Sequence, residues 1–252
     1  MKAVILGSDS KGNCIVIETG NGAIMIDCGL SARKVTSLLP LYGSDISNVR
    51  GILVTHGHGD HASGVAQVLA KTDASLYCSP DTAEVIGVPV SDVDEHDYGF
   101  SFPKLGGHAF RSFLVPHDKC DCWGFVLGFH RPDNSVHRVG YCTDAGYVTR
   151  HMAESLSGVE TLFVEANHDP KMLEECAKHP SVKYRTRGCH GHLSNTDAAQ
   201  LCCHLTERGL KTVVLCHLSH DANTPETAAR AIRALNPGLE IKVAQPGMTI
   251  DL

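Results

Sequence analysis

The sequence predicts a layered α/β fold, two packed sheets with helices outside, in a single domain spanning residues 1–252. Three observations predict it: the early part reads as a β meander, strand and helix patterns alternate in the later part, and no low-complexity linker divides the chain. A length of 252 residues with 42% hydrophobic and 20% charged residues supplies a sizeable core and excludes disordered, collagenous and fibrous classes. The formal net charge of −6 argues against a protein that coats nucleic acid with a broad basic surface, so any phosphate contact must be local. There is no run of about 18 apolar residues, and residues 1–7 are too short for a signal-peptide core. The expectation is a cytoplasmic protein that does not span a membrane. The 11 cysteines are odd in number and include no C-x-x-C, so they read as cytosolic thiols, mostly buried as small hydrophobes.

The elements follow in order. Residues 2–6, 13–18 and 23–27 are apolar strand runs, the last two joined by Thr19-Gly20-Asn21-Gly22, a hairpin signal, which makes the first layer antiparallel. Ser31 begins a helix that Pro40 ends, and residues 51–55 form a buried-strand run that stops at a histidine cluster. Strands are then expected over 75–79, 109–115, 123–129, 136–142, 160–165 and 211–216. Ser194-Asn195-Thr196-Asp197 has the form of a capping box, and Ala198, Leu201, Cys202 and Leu205 repeat at helical spacing as far as Gly209. Thr224-Pro225 starts a last helix with Ala228, Ala231, Ile232 and Leu235 facing inward, stopped by Asn236-Pro237-Gly238.

Sixteen histidines in 252 residues is a high count, and their placement carries the chemistry. His56-Gly57-His58-Gly59-Asp60-His61 puts four potential metal ligands in six positions directly after a strand, with two glycines that let the backbone turn between them. One ion cannot use all four and stay open to substrate. If His56 and His58 point the same way from an extended segment they grip one ion, while Asp60 and His61, entering a helix, reach a second. A solvated His-rich loop or a single structural zinc is the bland alternative.

The pattern His56-x-His58-x-Asp60-His61 resembles the signature of the metallo-β-lactamase superfamily, whose fold is an αββα four-layer sandwich with metals at one edge of its sheets. The resemblance implies that His117, after 112–115, is the third histidine of the first metal. It likewise implies that Asp144 bridges two ions and that His217, after 213–216, completes the second, with His220 as the rival. Segments 7–13, 55–61, 116–118, 143–146, 165–169, 191–195 and 217–219 resemble the YycJ/WalJ-like branch, bacterial cytoplasmic proteins regarded as nucleases, over nearly the whole chain. Ala145 departs from that pattern, where threonine is usual, as does Pro225. His96, His108, His130, His137, His151, His179 and His204 have no comparable context and read as surface or core residues.

Two divalent ions, zinc or manganese, about 3.5–4 Å apart can share a hydroxide of lowered pKa for in-line attack on phosphorus. His192 lies just before the capped helix, where free N–H groups and the helix dipole favour an anion. By resemblance to ribonuclease Z-type phosphodiesterases, His192 would contact the scissile phosphate and protonate the leaving oxygen, with Glu165 orienting it. Asp60 joins them in the catalytic set. Lys183, Arg185 and Arg187 form a short cationic run suited to flanking phosphates, with a solvated loop as the alternative. With aromatics at 6% and one Trp, backbone recognition is favoured over extensive base stacking. The leading reading is a dinuclear metal-dependent phosphodiesterase, a DNA exonuclease. A cyclic or small-molecule phosphodiesterase and a thioester or lactone hydrolase of the same fold are the alternatives, and a metal-stabilised binding module is the non-enzyme rival.

Overall fold

Short runs rich in Val and Ile become strands, and the computed structural model describes residues 1–89, 100–102, 108–118, 121–131 and 133–252. His96 and Cys120 lie outside the described residues. Two units emerge, Met1–Arg111 with Gln245–Leu252, and Ser112–Ala244.

The first unit begins with β1 (Lys2–Gly7), β2 (Cys14–Thr19) and β3 (Gly22–Ile26), paired antiparallel. The expected turn closes the second pair, with Thr19 opposite Gly22. Helix α1 (Ala32–Leu38), capped by Ser31, leads towards β4 (Val49–Leu53). The short helices α2 (Gly59–Ala62) and α3 (Val65–Leu69) then lead to β5 (Ser75–Tyr77), followed by α4 (Pro80–Ile86). The antiparallel pairing expected for the three opening strands is present, and the sheet is extended by parallel pairs, β3 with β4 and β4 with β5. A helical crossover returns the chain to the same end of the sheet, so the next strand must run in the same direction. Val4, Val16, Met25, Ile52, Val65 and Leu76 belong to one continuous buried cluster in this unit. The backbone of β6 (Phe100–Phe102) pairs antiparallel with the start of β7 (His108–Val115).

The second unit continues through β8 (Cys122–His130) and β9 (Val136–Cys142), an antiparallel pair. From there strand and helix alternate: α5 (Arg150–Ser155), β10 (Thr161–Glu165), α6 (Pro170–Glu175), α7 (Pro180–Thr186), α8 (Asn195–Thr206), β11 (Thr212–Cys216), α9 (Pro225–Leu235) and β12 (Glu240–Val243). Strands β9 to β12 are parallel, in the order β12-β11-β10-β9. The capping box at α8 forms as the sequence predicts, with the Ser194 side chain accepting from the Asp197 N–H, and Ala198, Leu201, Cys202 and Leu205 are buried. In α9, Ala228 and Ile232 are buried but Leu235 is half exposed, because the helix ends there at Asn236 and its last turn has left the core face. The cationic run expected as loop or anchor lies largely on α7, which Pro180 starts and the His179 side chain caps.

Finally β13 (Thr249–Asp251) pairs antiparallel with β1 in the first unit. Seven of the ten described cysteines are buried and all ten are free thiols. Among the described residues no helix is long and apolar enough to cross a membrane.

Candidate metal centre

In the first unit the ligand cluster sits where β4 ends. Its orientation is set by Asp27, one residue past β3, in a left-handed conformation at φ 56°. The Thr55 N–H donates to Asp27 Oδ1 at 2.8 Å, and the Thr55 hydroxyl reaches the same carboxylate at 3.0 and 3.1 Å. A hydroxyl has one proton, so with that proton on Asp27 the 3.0 Å contact between Thr55 Oγ1 and His56 Nδ1 makes the imidazole the donor. His61 Nδ1 donates to Asp27 Oδ2 at 2.8 Å, and its Nε2 accepts from Asn13 Nδ2 at 3.0 Å. Both rings thus carry the proton on Nδ1 and keep Nε2 as the acceptor nitrogen, in contact with Asn13 in His61 and with His58 in His56, which is the tautomer that a partner on the remote nitrogen gives a metal-binding histidine.

The donor atoms crowd together. His56 Nε2 lies 2.8 Å from His58 Nδ1, and His61 Nε2 lies 3.6 Å from Asp60 Oδ2. Gly29 makes room for this turn, since a Cβ there would come within 1.7 Å of the Asp60 carbonyl oxygen. A bulkier residue at 29 would displace the backbone that carries Asp60 and His61.

In the second unit the site is built by register. Glu165 closes β10 opposite Cys216, the last residue of β11, and Val164 lies opposite Cys142, the last residue of β9. Three parallel strands therefore deliver Asp144, Glu165 and His217 to one edge of the sheet, where chain ends commonly form sites in such sheets. Asp144 and His217 both adopt left-handed backbone, at φ 57° and 54°. For a non-glycine residue this is uncommon, and it concentrates at functional sites.

Glu165 is the hub. Its Oε1 accepts from His192 Nδ1 at 2.7 Å and from His217 Nδ1 at 2.9 Å, and its Oε2 accepts the N–H of Ala145 and of Leu193, each at 3.0 Å. Burial alone would raise its pKa, but the charge of His192 and the imidazole hydrogen bonds hold it at about 2. His192 answers in kind: burial would lower its pKa, yet the Glu165 carboxylate holds it above the ordinary imidazole value. The His192 loop is tied to α7 by its N–H to the Thr186 carbonyl at 2.9 Å.

Asp144, Glu165, His192 and His217 offer ligand atoms within 4.8 Å of one another. Because four N–H donors occupy the Glu165 oxygens, Glu165 orients its neighbours and Asp144 and His217 are the members suited to a cation. His117 Nδ1 donates to the Gly191 carbonyl at 3.0 Å, leaving Nε2 as its remaining nitrogen. The residues of each unit fit a divalent ion on their chemistry, borderline imidazoles with hard carboxylates, with His56, His61, His117 and His217 each oriented through Nδ1. His217 is buried against Glu165, whereas its rival His220 is exposed.

The cationic run has partners of its own. Arg185 donates to Asp118 at 2.7 Å, while Arg187 and Lys183 bond to the Glu174 side chain and carbonyl. The cations of this run are therefore paired within the second unit. Asp27 and Asn13 were missed as orienting residues. The available signal was a charged residue closing the apolar run of β3, beside a strand that ends in histidines.

The β-lactamase superfamily domain model matches residues 23–218. The chain is 30% identical over 234 residues to exodeoxyribonuclease YycJ of Bacillus anthracis, covering 90% of this chain and 86% of that protein. It is 31% identical over 234 residues to exodeoxyribonuclease WalJ of Streptococcus pneumoniae, covering 90% and 85%. The metallo-β-lactamase fold protein YhfI of Bacillus subtilis superposes with a TM-score of 0.71 at 15% identity, covering 99% of each chain, so the αββα fold expected from the sequence is the fold of this chain. The chain belongs to the metallo-β-lactamase superfamily, in its YycJ/WalJ branch.

Proposed function

We propose that this metal-dependent hydrolase is a dinuclear phosphodiesterase that acts on DNA as an exonuclease in the cytoplasm, its 252 residues working as one hydrolase domain. The observation that carries the reading is the His192–Glu165 pair, a part-exposed imidazole bonded through Nδ1 to a buried, ionised carboxylate beside Asp144. The proposed ligands are His56, His58 and His117 for one ion and Asp60, His61 and His217 for the other, with Asp144 shared. Zinc or manganese suits this donor set. Bound there, the ions would supply an activated water and neutralise charge developing on phosphorus.

The chain's own residues account for the remaining steps. With Nδ1 committed to Glu165, Nε2 is the nitrogen of His192 that can face substrate. The Glu165 carboxylate favours the protonated ring, which would donate first to a phosphate oxygen and then to the leaving oxygen. Asp60 acts from the second metal's ligand set, and Glu165 holds the imidazolium without taking its proton. Lys183, Arg185 and Arg187 would meet flanking phosphates by exchanging Glu174 and Asp118 for the nucleic-acid backbone. The names of the two relatives favour DNA.

The test is a side-by-side turnover assay of protein loaded with manganese or zinc on labelled DNA, RNA, a cyclic nucleotide and a thioester. Release of mononucleotides from DNA at the highest kcat/KM is expected. Preferential turnover of the thioester or the cyclic nucleotide would replace this reading with one of its alternatives.

A further inference from the structure

Beside His117 the second unit contains a cavity of about 540 Å³. We propose that it is a nucleoside subsite, holding the sugar and base attached to the phosphate that His192 contacts. The inference rests on the phosphodiesterase reading above and adds what the enzyme grips next to the scissile bond.

Position comes first. The ring of His117, which lines the cavity, lies 5.4 Å from that of His192, centroid to centroid, so the cavity adjoins the group that would meet the phosphate. Size agrees, since sites for small molecules span roughly 300–1,000 Å³.

The lining then selects the chemical class. Leu114, half exposed, and Pro116 give it an apolar wall. His151 and His190 add two exposed imidazoles that have no side-chain partner among the described residues, and imidazole faces stack on bases. The carboxylate of Asp118 is matched by Arg185 at 2.7 Å, whereas exposed Asp121 has no partner among the described residues. An unmatched carboxylate repels a second phosphate and accepts from the amino or imino N–H groups of a base edge. A cavity lined by apolar side chains, stacking rings and an unmatched acceptor suits a nucleoside and disfavours a polyphosphate or a second metal-bound anion.

The test uses the metal-loaded full chain and deoxydinucleotides in which either nucleoside is replaced by its abasic tetrahydrofuran analogue. In the wild type, removal of the base at one of the two positions should lower kcat/KM about 10- to 100-fold, the scale of a single stacked base. In the double variant His151→Ala with Asp121→Ala, and in Leu114→Trp, which fills the cavity from its rim, that penalty should fall to within about 3-fold while the abasic dinucleotide is hydrolysed at the wild-type rate. The substituted side chains are exposed or half exposed, and loss of folding would lower the abasic rate as well. A wild type indifferent to the base at both positions, or variants that keep the full penalty, would overturn the subsite. A wild type that hydrolyses no dinucleotide and no DNA at all would overturn the phosphodiesterase reading, and the subsite with it, an outcome distinct from the other two.

Discussion

The two units present metal-suited side chains in opposite ways. In the first, His56, His58, Asp60 and His61 come from one turn of chain. In the second, Asp144, Glu165 and His217 come from the ends of three strands, and His192 comes from a loop tied to α7. Each unit buries one carboxylate that fixes the Nδ1 of an inward-facing histidine, Asp27 for His61 and Glu165 for His217. The difference lies in what else that carboxylate holds. Asp27 is completed by Thr55, a neutral hydroxyl, whereas Glu165 also holds His192, a part-exposed imidazole of raised pKa. Histidine orientation by a buried carboxylate is therefore common to both units, while the proton delivery proposed for His192 draws on the second.

The largest effect that would break this comparison is at His192. His192→Ala should retain both ions and lower kcat on DNA by about 10²–10⁴-fold, the usual worth of a general acid. Metal analysis beside the rate decides the matter, because loss of an ion would make His192 a ligand and erase the contrast between the units. Next comes Asp27→Asn, which removes the charge that polarises His61. It should weaken metal affinity about 10- to 100-fold in chelator competition, with kcat recovering at saturating metal. An unchanged affinity with reduced kcat would mean that Asp27 does more than orient.

The smallest effect lies away from the site, at Glu160, where Arg131, His137 and Lys211 converge on the start of β10. Partial burial alone would raise the Glu160 pKa, but the Lys211 hydrogen bond and the charges of His137 and Arg131 hold it below the ordinary glutamate value. A carboxylate with a lowered folded pKa stabilises above its unfolded pKa and loses that contribution as pH falls through the folded value. Glu160→Gln should therefore lower Tm by about 1–3 °C at pH 7, with the difference shrinking as pH falls through the lowered pKa of Glu160. A difference that persists in acid would place its origin in packing.

What was legible in the sequence follows the same divide. The His56–His61 cluster could be read because its geometry is local, two glycines and a helix start within six residues. The apolar periodicity of α8 and its capping box were equally local. Leu235 was misplaced because periodicity does not say where a helix leaves its core. The parallel pairing of β3 with β4 was missed because strand direction depends on the crossover. Asp27 was invisible for a related reason, since its partners His61 and Thr55 are 34 and 28 residues away and meet it only through the β3–β4 register. The partners of the cationic run escaped notice because Asp118 and Glu174 are 67 and 13 residues from Arg185 and Arg187.

The central claim is that a pair of ions held by both clusters drives phosphodiester hydrolysis. The most direct measurement is a titration of metal-free protein with manganese or zinc while the initial rate of mononucleotide release from DNA is followed. The account predicts a rate that climbs to its plateau at two equivalents per chain. A plateau at one equivalent, or hydrolysis that is independent of added metal, would contradict it.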